Sequence, residues 1–507
     1  MKIFPIRGGV HPDEHKKPAS ERPVREAGIP ALLHIPLLQH IGKPAIPVVE
    51  VGEPVTKGQI IGKADGFVSA PVHAPTSGVI SSIGDFIAPH PSGLAGLTIT
   101  LETDGKETWC ELPPPLDPET TDPETLARRV RESGIVGMGG AAFPSSVKLS
   151  LGADHQLHTL VINGAECEPY LTADDRLMRE QAVDILDGIG IVLRTTGIPR
   201  AIIAVEDNKP EATKALQKAI ATGNSNEVVV EVVNVPARYP MGSEKHLIQA
   251  VTGIETPARK LPADIGVLMH NVATIFAIHE AVRFGRPLIS RIVTLSGGAM
   301  ASPGNLRVLI GTSIADLIAS SGGYSGEAEI TLLGGPMMGV PLHDPRAPVI
   351  KGTNGILALT REETHPGARL PCIRCAACVT ACPCGLQPQE MSFRISRDKL
   401  DAAADIGLND CILCGACAYV CPSHIPLVQY FNYARGALAE ARRMKAHQDK
   451  MKALAEQHEQ RLARIEAEKQ AAREARKARM AEKRAKAAAA KEKAEKAAKE
   501  KEEQGVK

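Results

Sequence analysis

A doubled cysteine motif constrains this chain of 507 residues more than any other feature. The first copy spans residues 372–383 and the second spans residues 411–422, and both have the spacing C-x2-C-x2-C-x3-C-P. In this spacing three thiolates wrap one iron–sulfur cube, while the cysteine before the proline ligates the other cube. The motif therefore predicts two [4Fe–4S] clusters. The predicted ligands are Cys372, Cys375, Cys378 and Cys421 for the first cluster, and Cys382, Cys411, Cys414 and Cys417 for the second.

Zinc or buried free thiols are the alternative interpretations, but eight cysteines in this doubled spacing favour clusters. Cys110, Cys167 and Cys384 fall outside the spacing, and we interpret Cys384 as a spare thiol. Such cysteine usage is typical of a reducing compartment. The 39-residue step between the first cysteines of the two motifs leaves room for helices. We therefore expect a helix-rich, two-cluster ferredoxin-type domain over residues 362–432.

Composition places several soluble domains around this motif. The length predicts three to five domains at roughly 100–150 residues each. Hydrophobic residues make up 43% of the chain but aromatic residues only 3%, so the cores must be aliphatic. The sequence contains neither an apolar run long enough to span a membrane nor an N-terminal signal peptide.

The charge of the chain is unevenly distributed. Residues 435–507 contain 22 Lys and Arg against 13 Asp and Glu, so a basic tail follows an acidic body. Its Ala, Lys and Glu content favours a solvated helix or a disordered segment, and the absence of an apolar seam argues against a coiled coil. Contact with anionic lipid is a further hypothesis for the tail. We expect no nucleic-acid partner.

The N-terminal region divides into an arm and a small β domain. Residues 1–30 lack periodicity and predict an extended arm, in which His11 is a surface residue. Residues 31–112 contain short strands separated by Gly and Pro. Two half-motifs here resemble the barrel-sandwich fold of biotinyl and lipoyl carrier domains. Lys63 is the nearest candidate for a modified lysine but lacks the sequence context, so a structural or docking barrel is favoured.

The next two regions predict an α/β domain followed by a smaller α+β domain. Residues 125–285 alternate strands and helices, and ligands in such sheets bind beyond the carboxyl ends of the strands. Residues 288–343 resemble the soluble-ligand-binding β-grasp (SLBB) domain. In the first domain we predict buried strands at 159–163, 201–206 and 228–233, with helices near 173–194 and 210–221. In the second we predict strands at 292–296, 305–310 and 328–333, with a helix at 314–320.

Four segments of the α/β domain suit a phosphate-bearing redox cofactor. Residues 137–144 form a Gly-rich loop, whose amides can approach a phosphate closely, and Lys148 follows. Residues 163–169 place an amide and carboxylates after a predicted strand. Residues 239–245 and 271–274 complete the set. Because NADH gives up two electrons and each cluster takes one, a flavin between them is the carrier that the chemistry requires.

In this order, the four segments resemble the NADH-oxidising flavin subunit of respiratory complex I. That resemblance implies non-covalent FMN, with nicotinamide-side roles for Phe143, Glu168 and Glu244. Two departures from the family pattern are Ala165 and Ser243, and the family's own cluster cysteines are absent. The FMN cradle implied by the resemblance is Gly139, Gly140, Lys148, Asn163 and Asn271, and Gly137, Glu166, Gly242 and Thr274 complete the predicted cofactor-binding set.

The order of domains over residues 1–435 resembles the RnfC family of Rnf/Rsx electron-transport complexes. This resemblance implies a peripheral subunit on the cytoplasmic face of a bacterial inner membrane. It would transfer hydride from NADH to FMN and then single electrons through the clusters to membrane partners. Those partners would exchange electrons with ferredoxin and move Na⁺ or H⁺. Two alternatives stay open: a soluble flavin/iron–sulfur reductase such as a cobalamin reductase, and an electron-transfer protein that binds no nucleotide.

Overall fold

The chain divides into two compact units, Met1–Asn432 and Tyr433–Lys507. Within the described residues, the first unit contains four β-sheets and the second is helical. The computed structural model describes residues 2–90, 92–140, 142–151, 155–222, 229–364 and 367–504.

The N-terminal arm is attached to other parts of the first unit. It contains helix α1 (Lys17–Ser20) and strand β1 (Arg25–Glu26). Strand β1 pairs in parallel with Leu306 and Arg307, far along the chain. His11 is exposed, as predicted, and its Nδ1 lies 3.2 Å from the carbonyl oxygen of Ala237.

The barrel-sandwich domain consists of two small antiparallel sheets around an aliphatic core. Leu33 and Ile35 alternate with more exposed residues along the first strand, which is the pattern of a strand with one buried face. Lys63 pairs with Ile46 inside a strand, away from a hairpin tip. The strands are β2 (Leu32–Pro36), β3 (Ile46–Pro47), β4 (Pro54–Val55), β5 (Ile60–Lys63), β6 (Val72–His73), β7 (Gly78–Ile87) and β8 (Ala95–Thr103), in sheets β2–β8–β7–β4 and β3–β5–β6.

The α/β domain is built on a parallel four-stranded sheet, ordered β11–β10–β9–β12. Its central strands are buried Val, Ile, Leu and Ala runs, as expected for a sheet that is covered on both faces. The elements are α2 (Pro123–Glu132), α3 (Ser145–Ser150), β9 (Thr159–Gly164), α4 (Ala173–Glu180), α5 (Ala182–Thr196), β10 (Arg200–Glu206), α6 (Pro210–Thr222), β11 (Val229–Val235), α7 (Glu244–Thr252), β12 (Val267–Asn271) and α8 (Val272–Phe284).

Two predictions for this domain were wrong in detail. The predicted helix at 173–194 is two helices, because Gln181 leaves the helical conformation with φ −129° and ψ 33°. Helix α4 then packs on α6, while α5 packs on α8. The predicted buried strand at 228–233 is the edge strand β11, in which Val229 is 57% exposed. Residue 228 lies outside the described residues.

The β-grasp domain extends beyond its predicted limit at residue 343. Strand β17 (Gly355–Leu359) lies inside its sheet, parallel to one neighbour and antiparallel to the other. The sheet order is β1–β14–β13–β17–β15–β16, so the N-terminal arm supplies one edge. The other elements are β13 (Ser290–Ser296), β14 (Gly304–Leu309), α9 (Ile314–Ser320), β15 (Ile330–Leu333) and β16 (Val340–Pro341).

The cysteine motifs lie in a domain of short helices, which confirms the expectation of helices between the motifs. Helix α15 continues through residue 504, so the tail is helical over its described part. None of the helices in the described ranges combines the length and apolarity needed to cross a membrane. The helices are α10 (Arg361–Thr364), α11 (Ala377–Ala381), α12 (Pro388–Ile395), α13 (Leu400–Asp405), α14 (Ala416–Tyr419) and α15 (Leu427–Gln504).

Candidate functional site

The carboxyl ends of β9 and β12 bring several predicted cofactor residues together. These strands are parallel neighbours, with Asn163 opposite Asn271. The Nδ2 group of Asn163 donates a hydrogen bond of 2.9 Å to the carbonyl oxygen of Gly242. The Oδ1 atom of Asn271 accepts a 2.9 Å bond from the amide of Ala273 and thereby caps the start of α8. Three of the four predicted segments therefore meet at this edge.

The Gly-rich loop packs on the start of α8. The amide of Met138 donates to Thr274 Oγ1 at 2.9 Å, and a Cβ atom on Gly139 would lie 3.3 Å from Asn271 Cβ. Gly140 has φ +109°, a conformation that favours glycine. The fourth segment is thus at the same edge, and the amino end of a 13-residue helix lies directly behind the loop. Helix amino termini of this kind attract anions.

Lys148 connects the same edge to helix α7. Its Nζ atom donates to the carbonyl oxygen of Met269 at 3.0 Å and forms an ion pair of 2.9 Å with Glu244. Phe143 closes the Gly-rich loop, because its carbonyl oxygen accepts a 2.7 Å bond from the amide of Gly137. Ala141, inside the loop, lies outside the described residues.

The two predicted carboxylates are both engaged by backbone amides. Glu166 accepts bonds of 2.8 and 3.1 Å from the amides of Asp174 and Asp175, in the first turn of α4. Glu168 accepts bonds of 3.0 and 2.8 Å from the amides of Met337 and Met338. Burial raises the pKa of each carboxyl to about 7, and the nearby Asp174 contributes to the rise at Glu166. Both carboxyls are thereby fixed in position by the protein.

Lys16 supports this carboxylate segment and was missed by the sequence analysis. Its Nζ atom donates to the carbonyl oxygens of Glu166, Glu168 and Leu171 at 2.7–2.9 Å. Burial lowers the pKa of Lys16. The N-terminal arm therefore shapes the candidate site, although a Lys-rich arm carries no sequence pattern that predicts burial.

Arg291 is a second residue that sequence reasoning missed. It is 4% exposed, and it donates to the carbonyl oxygens of Met138 and Thr353 at 3.2 and 3.3 Å. Burial lowers its pKa to about 10. Its Nη1 atom is buried and has no hydrogen-bond partner in the described part of the chain. Arg291 also lines a cavity of about 420 Å³, which begins beside Met138, Asp174 and Ala273. A buried donor without a partner next to a Gly-rich loop fits a phosphate-bearing cofactor.

The eight motif cysteines surround two separate cavities, and the grouping is crossed between the motifs. Both cysteine loops repeat one backbone pattern, with positive φ at Arg374 and Ala376 in the first and at Leu413 and Gly415 in the second. The first cavity is lined by Cys372, Cys375, Cys378 and Cys421, and the second by Cys382, Cys411, Cys414 and Cys417. We name these the first and second cysteine sets.

Cys384 differs from its interpretation as a thiol apart from the site. It lines the second cavity beside Cys382, because the chain turns back at Pro383. Burial and the neighbouring cysteines raise the pKa of Cys384 to about 12. Spacing alone could not show this, since the motif counts only the cysteine before the proline.

The arrangement of the sulfur atoms bears on the zinc alternative. Across the ranges that the structure describes, no group of three or more His, Cys, Asp or Glu side chains is arranged to hold a metal ion. A structural zinc site needs four ligands at about 2.3 Å from one point. Sulfur atoms set around a cavity suit a larger inorganic cluster better than a single ion.

The second cysteine set lies against the α/β and β-grasp domains. Tyr239 Oη donates a 2.6 Å bond to the carbonyl oxygen of Cys414. A Cβ atom on Gly415 would lie 2.5 Å from the carbonyl oxygen of Met337, whose amide binds Glu168. The amide of Gly9 donates to the carbonyl oxygen of Ala381 at 2.8 Å, so the arm reaches the same place.

The first cysteine set is surrounded by its own domain alone. All residues that line its cavity lie between 372 and 427. Cys372 and Cys375 are exposed, whereas Cys414 and Cys417 are 7% and 8% exposed. The two sets therefore have different surroundings, one internal and one at the surface.

Comparison with known families agrees with this domain order. The chain matches the RnfC barrel-sandwich hybrid domain over residues 4–106 and the Nuo51 FMN-binding domain over 130–280. It matches the SLBB domain over 292–341 and the 4Fe-4S dicluster domain over 371–425. The predicted fold class is confirmed, and an FMN-binding domain and iron–sulfur clusters are supported.

Curated relatives extend the match over most of the chain. The RnfC protein of the ion-translocating oxidoreductase complex of Rhodobacter capsulatus is 53% identical over 449 residues, 88% of this chain and 86% of that protein. The Pseudomonas aeruginosa protein of the same name is 46% identical, over 92% of this chain and 59% of its own length. The corresponding protein of the proton-translocating ferredoxin:NAD(+) oxidoreductase complex of Clostridium ljungdahlii is 43% identical, over 86% of this chain and 94% of that protein. The chain belongs to the RnfC family, whose members are subunits of ion-translocating oxidoreductase complexes.

Proposed function

We propose that this chain oxidises NADH at the edge of its α/β domain and delivers single electrons through both cysteine sets to membrane partners. The observation that carries the proposal is the contact between Tyr239, in the third predicted flavin segment, and Cys414, in the second cysteine set. One face of the molecule thus joins a hydride-accepting site to a one-electron carrier. The same residues would be scattered if the α/β and cluster domains served separate reactions.

FMN, when bound, accepts a hydride and releases its electrons one at a time. The residues that would hold it are Gly139, Gly140, Lys148, Asn163 and Asn271. The Gly-rich loop, the amino end of α8 and the unpartnered Nη1 of Arg291 together suit its phosphate. Gly137 and Thr274 keep the loop closed and in place, through the bonds already described.

The nicotinamide side would be formed by Phe143, Glu168 and Glu244. The carboxylate of Glu168 is held by two amides of the β-grasp domain, so its position is set before substrate arrives. Glu244 is paired with Lys148 and shares its charge. Ala165 and Ser243 leave fewer polar contacts to the flavin ring and nicotinamide than the complex I family provides.

We infer that electrons enter the second cysteine set and leave from the first. The second set is buried against the α/β domain, while the first has two exposed cysteines. The exposed set suits transfer to a membrane partner, because a short path to the surface favours exchange between proteins. In this proposal the chain works as a peripheral subunit on the cytoplasmic face, and its partners exchange electrons with ferredoxin and move Na⁺ or H⁺.

Anaerobic NADH titration of the purified chain tests both parts, with flavin absorbance and EPR as readouts. We expect NADH to bleach the flavin band and then to reduce both clusters. Cys417→Ser should lose the second cluster and block reduction of the first by NADH, while dithionite still reduces it. Cys378→Ser, the matched control in the first set, should leave NADH reduction of the second cluster intact.

Three results would contradict the proposal. Failure to retain FMN or to bleach it with NADH would leave an electron-transfer protein without nucleotide chemistry. Reduction of the first cluster by NADH in Cys417→Ser would reverse the order of the clusters. Recovery of the native protein entirely without membrane partners would favour a soluble flavin/iron–sulfur reductase.

A further inference from the structure

The tail helix has a one-sided distribution of positive charge. Within α15, residues 469–491 form 23 consecutive helical positions, all exposed. This segment contains nine Lys and Arg but only two acidic residues, Glu474 and Glu482. The basic residues are Lys469, Arg473, Arg476, Lys477, Arg479, Lys483, Arg484, Lys486 and Lys491.

Helical geometry places all nine on the same half of the helix. With 3.6 residues per turn, they fall within an arc of about 180°. The opposite half holds both glutamates, Gln470 and seven alanines. We call the first half the basic face. At 1.5 Å per residue it is about 34 Å long. Over the rest of the tail Lys and Arg do not keep to this arc, so the pattern is specific to the segment.

We propose that the basic face lies on the surface of an anionic lipid bilayer. A flat array of negative headgroups complements a long, one-sided positive face, and each Lys or Arg near such a surface adds to the attraction. The chain belongs to a family of membrane-complex subunits, and its described helices include none that could span a bilayer. A bilayer surface is therefore a binding partner within reach of this subunit.

The composition of the segment also defines how it would bind. Met480 is its only large apolar side chain, so the helix has no apolar half to insert between acyl chains. Binding should rest on charge alone and should weaken as salt shortens the screening length to about 8 Å at physiological ionic strength. The same lack of an apolar seam excludes a coiled-coil partner for this segment.

Vesicle co-sedimentation of the full-length protein tests the proposal. One set of vesicles contains phosphatidylcholine alone, and the other contains phosphatidylcholine with phosphatidylglycerol. We expect binding to the anionic vesicles only, lost on raising NaCl from about 50 to about 500 mM as screening strengthens. Neutralising Arg473, Arg476, Lys483 and Arg484 to glutamine should weaken binding roughly 100-fold or more, at about fivefold per charge.

A charge-preserving variant separates the face from net charge. It combines three exchanges: Ala471→Arg with Arg473→Ala, Ala478→Arg with Arg476→Ala, and Ala485→Lys with Lys483→Ala. Composition, net charge and helix propensity are unchanged, but three charges move to the far side of a helix about 10 Å thick. We expect binding about tenfold weaker, with unchanged iron content and helical circular dichroism as controls.

Three outcomes would overturn the proposal. The first is equal binding to neutral and anionic vesicles. The second is wild-type binding by the exchange variant, which would make net charge the cause. The third is displacement from anionic vesicles by duplex DNA at lower concentrations than lipid requires, which would identify a nucleic acid as the preferred partner.

Discussion

Gly415→Ala tests how closely the second cysteine set is joined to the β-grasp domain. Gly415 has φ +81°, and a Cβ there would lie 2.5 Å from the carbonyl oxygen of Met337. Ala376 is the equivalent residue of the first motif, and it is already an alanine with φ +60°. The cysteine loop therefore tolerates alanine in the left-handed conformation. The difference between the two positions is the contact with Met337.

The size of the effect follows from that contact. Ordinary contact begins near 3.4 Å, so the Met337 carbonyl must move by about 0.9 Å. The amide of the same residue binds Glu168, and weakening a hydrogen bond to a charged group costs about 1.5–3 kcal/mol. The left-handed alanine adds about 1–2 kcal/mol. We expect a local destabilisation of about 3 kcal/mol or more around the second cysteine set.

Release of iron to a chelator, followed anaerobically with EPR of the remaining cluster, measures this effect. Gly415→Ala should lose the second cluster first and much faster than the wild type. Ala376→Gly is the matched control, and it should hold both clusters at least as well as the wild type, because it relieves a left-handed alanine. Wild-type iron release from Gly415→Ala, or an equal loss from Ala376→Gly, would refute the reasoning.

Three further substitutions probe the site. Glu168→Gln should flatten the pH dependence of stability: the folded-state pKa near 7 lies above the ordinary 4.5, so the contribution of Glu168 is full below pH 4.5 and lost as pH rises through 7, about 3 kcal/mol in urea unfolding. Equal slopes for wild type and variant would contradict this. Cys384→Ser should keep all the iron while Cys382→Ser loses half, and iron analysis shows whether Cys384 is instead a ligand. Asn271→Ala should cost about 1 kcal/mol in thermal unfolding through the lost cap of α8, and an unchanged Tm would show that the cap is dispensable.

Local sequence patterns predicted the parts of the site that are built locally. The grouping of the cysteines follows from spacing, because three sulfur atoms per cavity come from one short loop with a repeated backbone pattern. The parallel sheet follows from Val and Ile runs, and the glycines of residues 137–140 mark a loop at its edge. These features need few distant contacts, so their residues carry the information themselves.

Residues that join the domains could not be predicted in this way. Lys351 is an example: it is 1% exposed, and its Nζ atom donates to the carbonyl oxygens of Pro71 and Gly134, in two other domains. Burial lowers its pKa to about 7. A lysine whose partners are backbone carbonyls more than 200 residues away leaves no periodic or motif pattern. Lys16 and Arg291 were missed for the same reason.

The convergence of distant segments on one cysteine set bears on how the clusters are used. The arm, through Gly9, the α/β domain, through Tyr239, and the β-grasp domain, through Met337, all contact the second motif region. Burial of this kind removes water and fixes distances, which a carrier at the entry of electrons needs. A carrier at the exit must instead be reachable by a partner, and the exposed Cys372 and Cys375 meet that requirement. The asymmetry between two sequence-equivalent motifs is therefore what gives the proposed electron path its direction.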